Sequence, residues 1–171
     1  MTLNPSTLAP YTVLVLGLGA TLAFDLWGLL LVRILRVKPA NICFVGRWLA
    51  HMPAGTFRHV DIASAPSRRF ECLIGWVAHY LIGGVFAVVF TTLAGADWLS
   101  HPTLLPALSF GVVTVLAPFL LMQPAMGLGV AASRAPDPTQ ARLRSVSNHA
   151  AFGIGLYLTA VLVQAALGPW P

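Results

Sequence analysis

Four side chains able to bind protons or small polar solutes occur within long apolar stretches of this chain. Asp25, His79, Gln123 and His149 each lie in a different stretch. A charged side chain near the centre of a bilayer costs about 2.5–3.5 kcal/mol on insertion scales, so such residues usually face a bundle interior and have a partner. Histidine titrates near neutral pH and carboxylates relay protons, so this pattern favours binding or transport of a proton or a small solute.

The elements that must position these side chains are four apolar segments, predicted as spans at residues 11–34, 73–96, 103–131 and 146–167. About 20 helical residues cross a hydrocarbon layer of ~30 Å, and helices pair every backbone amide internally. Of the 171 residues, 57% are hydrophobic and 9% are charged, whereas soluble domains carry roughly 25% charged residues. We therefore expect an all-α fold, a four-helix transmembrane bundle that forms a single domain.

The distribution of positive charge predicts how the chain crosses the membrane. All ten Lys and Arg residues lie within residues 33–69 and 134–144. Loops rich in Lys and Arg stay in the cytoplasm, so loops 1 and 3 should be cytoplasmic and both termini periplasmic in a bacterial inner membrane. The net charge of +5 then reflects topology and attraction to anionic lipid. The bilayer is the expected partner, and nucleic acid is not.

A short helix is predicted over residues 42–52 of the first loop, with Asn41 as its N-cap and Gly55 beyond its end. Its apolar side chains recur at helical spacing, which is typical of an interfacial helix on the inner leaflet. Arg47 and His51 share one side of this helix and are candidates to close a polar site from the cytoplasm.

Prolines and cysteines give three further expectations. Pro118 and Pro124 should kink or end the third span and free backbone carbonyls. The segment APDPTQ at residues 135–140 should be an extended connection before the fourth span. Cys43 and Cys72 fall on the reducing side of the predicted topology, so we expect no structural disulfide between them.

Several runs of the sequence resemble the bacterial membrane family known as domain of unknown function 2938. They are ATLAFDLWG, VGRWLAHMPAGTFRH, GWVAHYLIG, HPTLLPAL, APFLLMQPAMGLGVAAS and NHAAFGIGLY, and the likeness covers about residues 17–162. The resemblance implies a four-span inner-membrane protein and assigns no activity. Its motif positions in this chain are Asp25, Gly46, Arg47, Trp48, His51, His59, Glu71, His79, Tyr80, Gln123, Pro124 and His149. It thereby adds Tyr80 to the candidate site of Asp25, Arg47, His51, His79, Gln123 and His149.

Alternative functions fit the same residues. His79 and His149 are each followed one turn later by a glycine, an arrangement that could hold haem, and with Asp25 they could hold a divalent metal. The sequence does not identify a cofactor. An accessory subunit of a larger membrane complex, or a homodimer, would use small-residue stripes only as helix contacts. Asp25 could also be structural, bonded to His79 or paired with Arg47. An enzyme is not favoured, because no nucleophile elbow, H-E-x-x-H or phosphate loop is present.

Overall fold

The computed structural model describes residues 5–167, and within that range every regular element is helical. The elements are α1 (Pro5–Leu35), α2 (Ile42–His51), α3 (Glu71–Ala94), α4 (Ala96–Ser100), α5 (Leu104–Val113), α6 (Gln123–Ala125) and α7 (Pro138–Leu167). Four helical segments are long and apolar enough to cross a membrane: Tyr11–Ile34, Glu71–Ala94, Leu104–Ala125 and Pro138–Ala166. The predicted all-α fold with four span-like helices is confirmed. The extreme termini, predicted to be periplasmic, lie outside the described residues.

The third span is irregular, as its prolines predict. After α5 the chain forms a π-helical segment, Pro118–Met122, in which the Gln123 N–H donates to the Pro118 carbonyl. A proline lacks the amide hydrogen that a regular α-helix uses, so wider turns are tolerated there. Gly127 and Gly129 then adopt φ of +91° and +74°, a backbone region that glycine enters without steric penalty.

The fourth span begins earlier than its apolar residues suggest. The prediction of an extended connection over residues 135–140 is wrong from Pro138 onward, because α7 starts there. The Asp137 side chain accepts a hydrogen bond of 2.9 Å from the Gln140 N–H, which is N-cap geometry, and proline is well suited to the first position of a helix. Capping chemistry therefore sets this boundary, and hydropathy does not.

Contacts along the chain define two compact units. The first comprises the residues up to Trp27, Tyr80–Val113, and those from Ser147 onward. Its core contains Leu16, Ala20, Ala87, Phe90, Trp98, Ala107, Phe152, Leu156 and Ala160. Glycines bring its helices close together: a Cβ at Gly83 would overlap the Thr21 hydroxyl, and a Cβ at Gly153 would lie 2.5 Å from the Ala107 carbonyl oxygen.

The second unit comprises Gly28–His79 and Thr114–Val146. It contains the helix predicted in the first loop, and the N-cap prediction is confirmed, since Asn41 Oδ1 accepts from the Cys43 N–H at 3.0 Å. Carbonyls freed at the end of the third span are used by the loop after α2. The His59 N–H donates to the Ala125 carbonyl at 2.8 Å and the Ile62 N–H to the Met126 carbonyl at 3.1 Å.

A disulfide joins α2 to the start of α3. Cys43 and Cys72 are bonded, with their Cα atoms 3.9 Å apart and a sequence separation of 29. Gly46 and Gly75 follow one turn after each cysteine, and a Cβ at either would overlap a backbone carbonyl of the other helix. The expectation of no disulfide is therefore wrong. It rested on the cellular compartment alone, whereas these glycines let the two helices approach closely enough for the sulfurs to meet.

Candidate functional site

Asp25 of α1 accepts a hydrogen bond from Tyr80 of α3, both within the first unit. The Tyr80 hydroxyl lies 3.0 Å from Asp25 Oδ2. Each residue is about 14 Å along its helix, at ~1.5 Å per residue, from the span end at Ile34 or at Glu71. A carboxylate at such a position needs a polar partner, and a hydroxyl on another span-like helix supplies one.

Tyr80 also lines a groove formed mainly by α1 and α7. The groove has a volume of about 500 Å³, and leucines such as Leu22 and Leu158 make most of its wall. Tyr80 and Thr159 contribute the hydroxyls of this lining. The residue that bonds Asp25 therefore borders an open apolar groove, in which Leu22 and Leu158 are each 50% exposed.

Two more polar residues of the first unit lie near the start of the apolar part of α7. The ring of His149 packs edge-on against Phe24, the neighbour of Asp25 in sequence, with centroids 5.4 Å apart. Asn148 is buried at 9% exposure, and its side-chain oxygen has no hydrogen-bond partner among the described residues. A buried oxygen left without a donor costs about 1–3 kcal/mol, so this position favours a bound water or a donor group of a solute.

Arg47 holds the second unit together. Its guanidinium forms a bidentate ion pair with Glu71, at 2.7 Å and 2.9 Å, and the two side chains are only 12% and 13% exposed. A third nitrogen donates to the carbonyls of Ile62, Ala63 and Ala65 at 3.0–3.2 Å. The hydrogen bonds that Arg47 donates to Glu71 raise the pKa of Arg47, despite an opposing effect of burial. Arg47 therefore clamps the loop before α3 onto α2.

Two histidines flank this clamp. His51 is buried, and its Nε2 lies 2.9 Å from the Pro66 carbonyl while its Nδ1 lies 3.4 Å from an Arg68 nitrogen. Its ring meets that of His59 edge-on at 5.0 Å. The Nε2 of His59 is buried with no partner among the described residues. Burial, and secondly the adjacent His51, lower the pKa of His59, so its imidazole favours the neutral form.

Gln123 and His79 complete the set predicted from the sequence. Gln123 is buried at 7% exposure, and its side-chain oxygen has no partner within residues 5–167. The His79 ring packs against Trp76 at 5.9 Å. Asp25, Tyr80 and His149 thus belong to the first unit, and Arg47, His51, His79 and Gln123 to the second. That all seven form one site stays a prediction.

The cofactor alternatives gain no support from the described geometry. Among residues 5–167, no group of three or more His, Cys, Asp or Glu side chains is placed to hold a metal ion. The haem hypothesis needs room for a macrocycle beside Gly83 and Gly153, but both glycines face neighbouring helices at distances that a Cβ would already close. These glycines serve helix packing.

Sequence reasoning left Glu71 out of the candidate site, although the ionic core of the second unit depends on it. The available signal is a lone carboxylate at the start of a span, two residues after a pair of arginines. The Arg68 N–H also donates to Glu71, at 2.8 Å, so the carboxylate caps the start of α3 as well as binding Arg47.

Comparison with known proteins identifies one family. Residues 14–163 match the profile of a family described as a protein of unknown function, DUF2938. No curated protein and no solved structure matches the chain.

Proposed function

We propose that this chain, which belongs to the DUF2938 family of proteins of unknown function, binds a proton or a small polar solute within the membrane at Asp25 and Tyr80. The hydrogen bond between these two side chains on apolar helices carries the proposal. Movement of the bound species across the membrane is the activity that such a site serves best.

The Asp25–Tyr80 pair is suited to a carboxyl group that gains and loses a proton. A phenol hydroxyl both donates and accepts, whereas an ionised carboxylate only accepts. Tyr80 therefore donates to the ionised Asp25, and its oxygen can accept from the protonated form. The pair keeps a hydrogen bond in both states, so protonation need not leave an unsatisfied polar atom in an apolar environment.

The groove bordered by Tyr80 supports a solute as the second species at this site. Its wall is mostly apolar, with hydroxyls from Tyr80 and Thr159, which is the usual composition of a small-molecule site. A small molecule with an apolar body and at least one hydrogen-bond donor fits this lining.

We further propose a location and orientation from the charge pattern. All ten Lys and Arg residues lie within residues 33–69 and 134–144, in or next to the loops after the first and third spans. By the positive-inside rule those loops are cytoplasmic and both termini lie in the periplasm of an inner membrane. Asp25 and Tyr80 then lie in the cytoplasmic half of the bilayer, and the site exchanges protons with the cytoplasm.

Proton movement into liposomes tests the proposal. The purified chain is reconstituted with a pH-sensitive dye inside the vesicles, and a potassium diffusion potential drives proton entry. We expect faster acidification than in protein-free vesicles, and loss of that difference in Asp25→Asn, which keeps the acceptor oxygen but cannot ionise. Asp97→Asn is the matched control, since Asp97 is exposed on the short helix α4.

Infrared spectroscopy tests binding separately from transport. A carboxyl band that titrates in the wild type and disappears in Asp25→Asn, but not in Asp97→Asn, would identify Asp25 as the proton-binding group. The proposal is wrong if neither acidification nor this band differs between the wild type and Asp25→Asn.

A further inference from the structure

We propose that Cys43 and Cys72 form a reversible thiol–disulfide site, which a small-molecule disulfide oxidises and cytoplasmic thiols reduce. The inference is independent of the Asp25 site. It rests on the geometry of the second unit and on the proposed cytoplasmic placement of the loop that contains α2.

The first observation is that other contacts hold the two cysteines near each other. The glycine contacts at Gly46 and Gly75 fix the close approach of α2 to α3. The Arg47–Glu71 ion pair spans the same two helices, with Arg47 one helical turn after Cys43 and Glu71 directly before Cys72. The packing and the ion pair do not require the sulfur–sulfur bond, so opening the bond leaves the thiols in position to re-form it.

The second observation is the disagreement between the disulfide and the charge pattern. Seven of the ten basic residues lie within residues 33–69, at the end of the first span and in the loop that follows it, which predicts a cytoplasmic loop. Cytosolic thiols are kept reduced, and the disulfides that do form there are mostly transient, catalytic or redox-sensing. A preformed cysteine pair on the reducing side is therefore expected to cycle between two states.

The chemistry uses a small disulfide, R–S–S–R, as oxidant. Cys72 is exposed at the start of α3, so its thiolate can attack one sulfur of the oxidant, form a mixed disulfide and release R–S⁻. The Cys43 thiolate then attacks the Cys72 sulfur and releases the second R–S⁻. Two electrons pass to the oxidant, and the two protons from the protein thiols end on two molecules of R–SH.

The oxidised state should differ from the reduced state in how firmly α2 is held. When the bond is closed, α2 is covalently tied to the first turn of α3. When it is open, the same contact depends on the glycine packing and the Arg47–Glu71 pair. Oxidation therefore stabilises the loop after α2, whose carbonyls Arg47 binds.

The test measures the cysteine redox state of the full-length chain in living cells. Free thiols are blocked in situ with N-ethylmaleimide, the protein is denatured and reduced, and the released thiols are tagged with polyethylene-glycol maleimide. We expect no tag in unstressed cells, two tags per chain after a pulse of diamide or of a permeant small disulfide, and loss of the tags after recovery. A control variant, Cys72→Ser with Leu73→Cys, keeps two thiols but turns one away from α2, and should not form the bond.

Two results would overturn the inference. A disulfide already complete in unstressed cells and unchanged by recovery would make the bond a permanent one, and its absence after oxidation would mean that the thiols do not pair. Orientation is checked with Val60→Cys in a Cys43→Ser, Cys72→Ser background, since Val60 is 95% exposed. Labelling of that cysteine by an impermeant maleimide in intact cells would place the loop outside and refute the inference, without bearing on proton binding at Asp25.

Discussion

Removal of the Arg47 side chain should strongly destabilise the second unit. Arg47→Ala deletes a bidentate pair with Glu71 and three hydrogen bonds to loop carbonyls. It leaves a carboxylate that is only 13% exposed without its cation. Removing one partner of a buried ion pair costs about 3–5 kcal/mol. Because both side chains retain slight exposure, some water can reach Glu71, so we expect a loss of about 3 kcal/mol in the free energy of unfolding, at the lower end of this range.

Denaturant titration in mixed micelles, followed by tryptophan fluorescence, measures this loss. Arg58→Ala is the matched control, because Arg58 lies in the same loop but is exposed, and exposed substitutions usually change stability by no more than about 0.5 kcal/mol. A double-mutant cycle with Glu71→Gln should give a coupling energy within the range of about 0.5–3 kcal/mol. If Arg47→Ala unfolds at the same denaturant concentration as Arg58→Ala, the clamp assigned to Arg47 is incorrect.

Three further predictions follow from the packing and the charges. Gly83→Ala should lower the melting temperature, since its Cβ would overlap the Thr21 hydroxyl. Gly84→Ala should be tolerated, because nothing lies within 4 Å of a Cβ at that position. Equal melting temperatures of the two variants would contradict the predicted close packing at Gly83. Gly46→Ala should prevent the disulfide from closing, as measured by thiol tagging after oxidation, because its Cβ would overlap a backbone carbonyl of α3. Burial, and secondly a neighbouring imidazole, lower the pKa of His59 in the fold below its ordinary value of 6.5. The unfolded chain therefore binds this proton first as pH falls, so stability should decline from about pH 6.5 towards the native pKa. His59→Gln should flatten that decline in pH-dependent denaturation, and an unchanged slope would refute the assignment.

The sequence predicts helical elements well where the signal is local. The runs of apolar residues identify four span-like helices, and Asn41 correctly marks the start of α2. Pro118 and Pro124 correctly indicate an irregular third span. Hydropathy places the start of the fourth span too late because it weighs apolar content, whereas Asp137 and Pro138 initiate α7 through capping and backbone geometry.

Partnerships between distant residues could not be predicted in the same way. The need of Asp25 for a polar partner follows from burial of charge, but the identity of Tyr80 depends on which helices touch and at what rotation. The sequence predicts that Arg47 closes a polar site, but it does not predict the ion pair with Glu71, which is 24 residues away in sequence. Glycines such as Gly46 indicate that another helix packs closely, but they do not identify which helix it is.

The π-helical turn at Pro118–Met122 changes how the third span should be drawn on a helical wheel. A π turn holds one residue more than an α turn, so each side chain beyond Met122 is set back by about 100° from the direction that a regular helix would give it. Gln123, which is buried, directly follows this turn. Deleting a single residue between Pro118 and Met122 should restore regular α-helical geometry and rotate the Gln123 side chain to another side of the helix. No substitution at position 123 itself can reproduce that rotation.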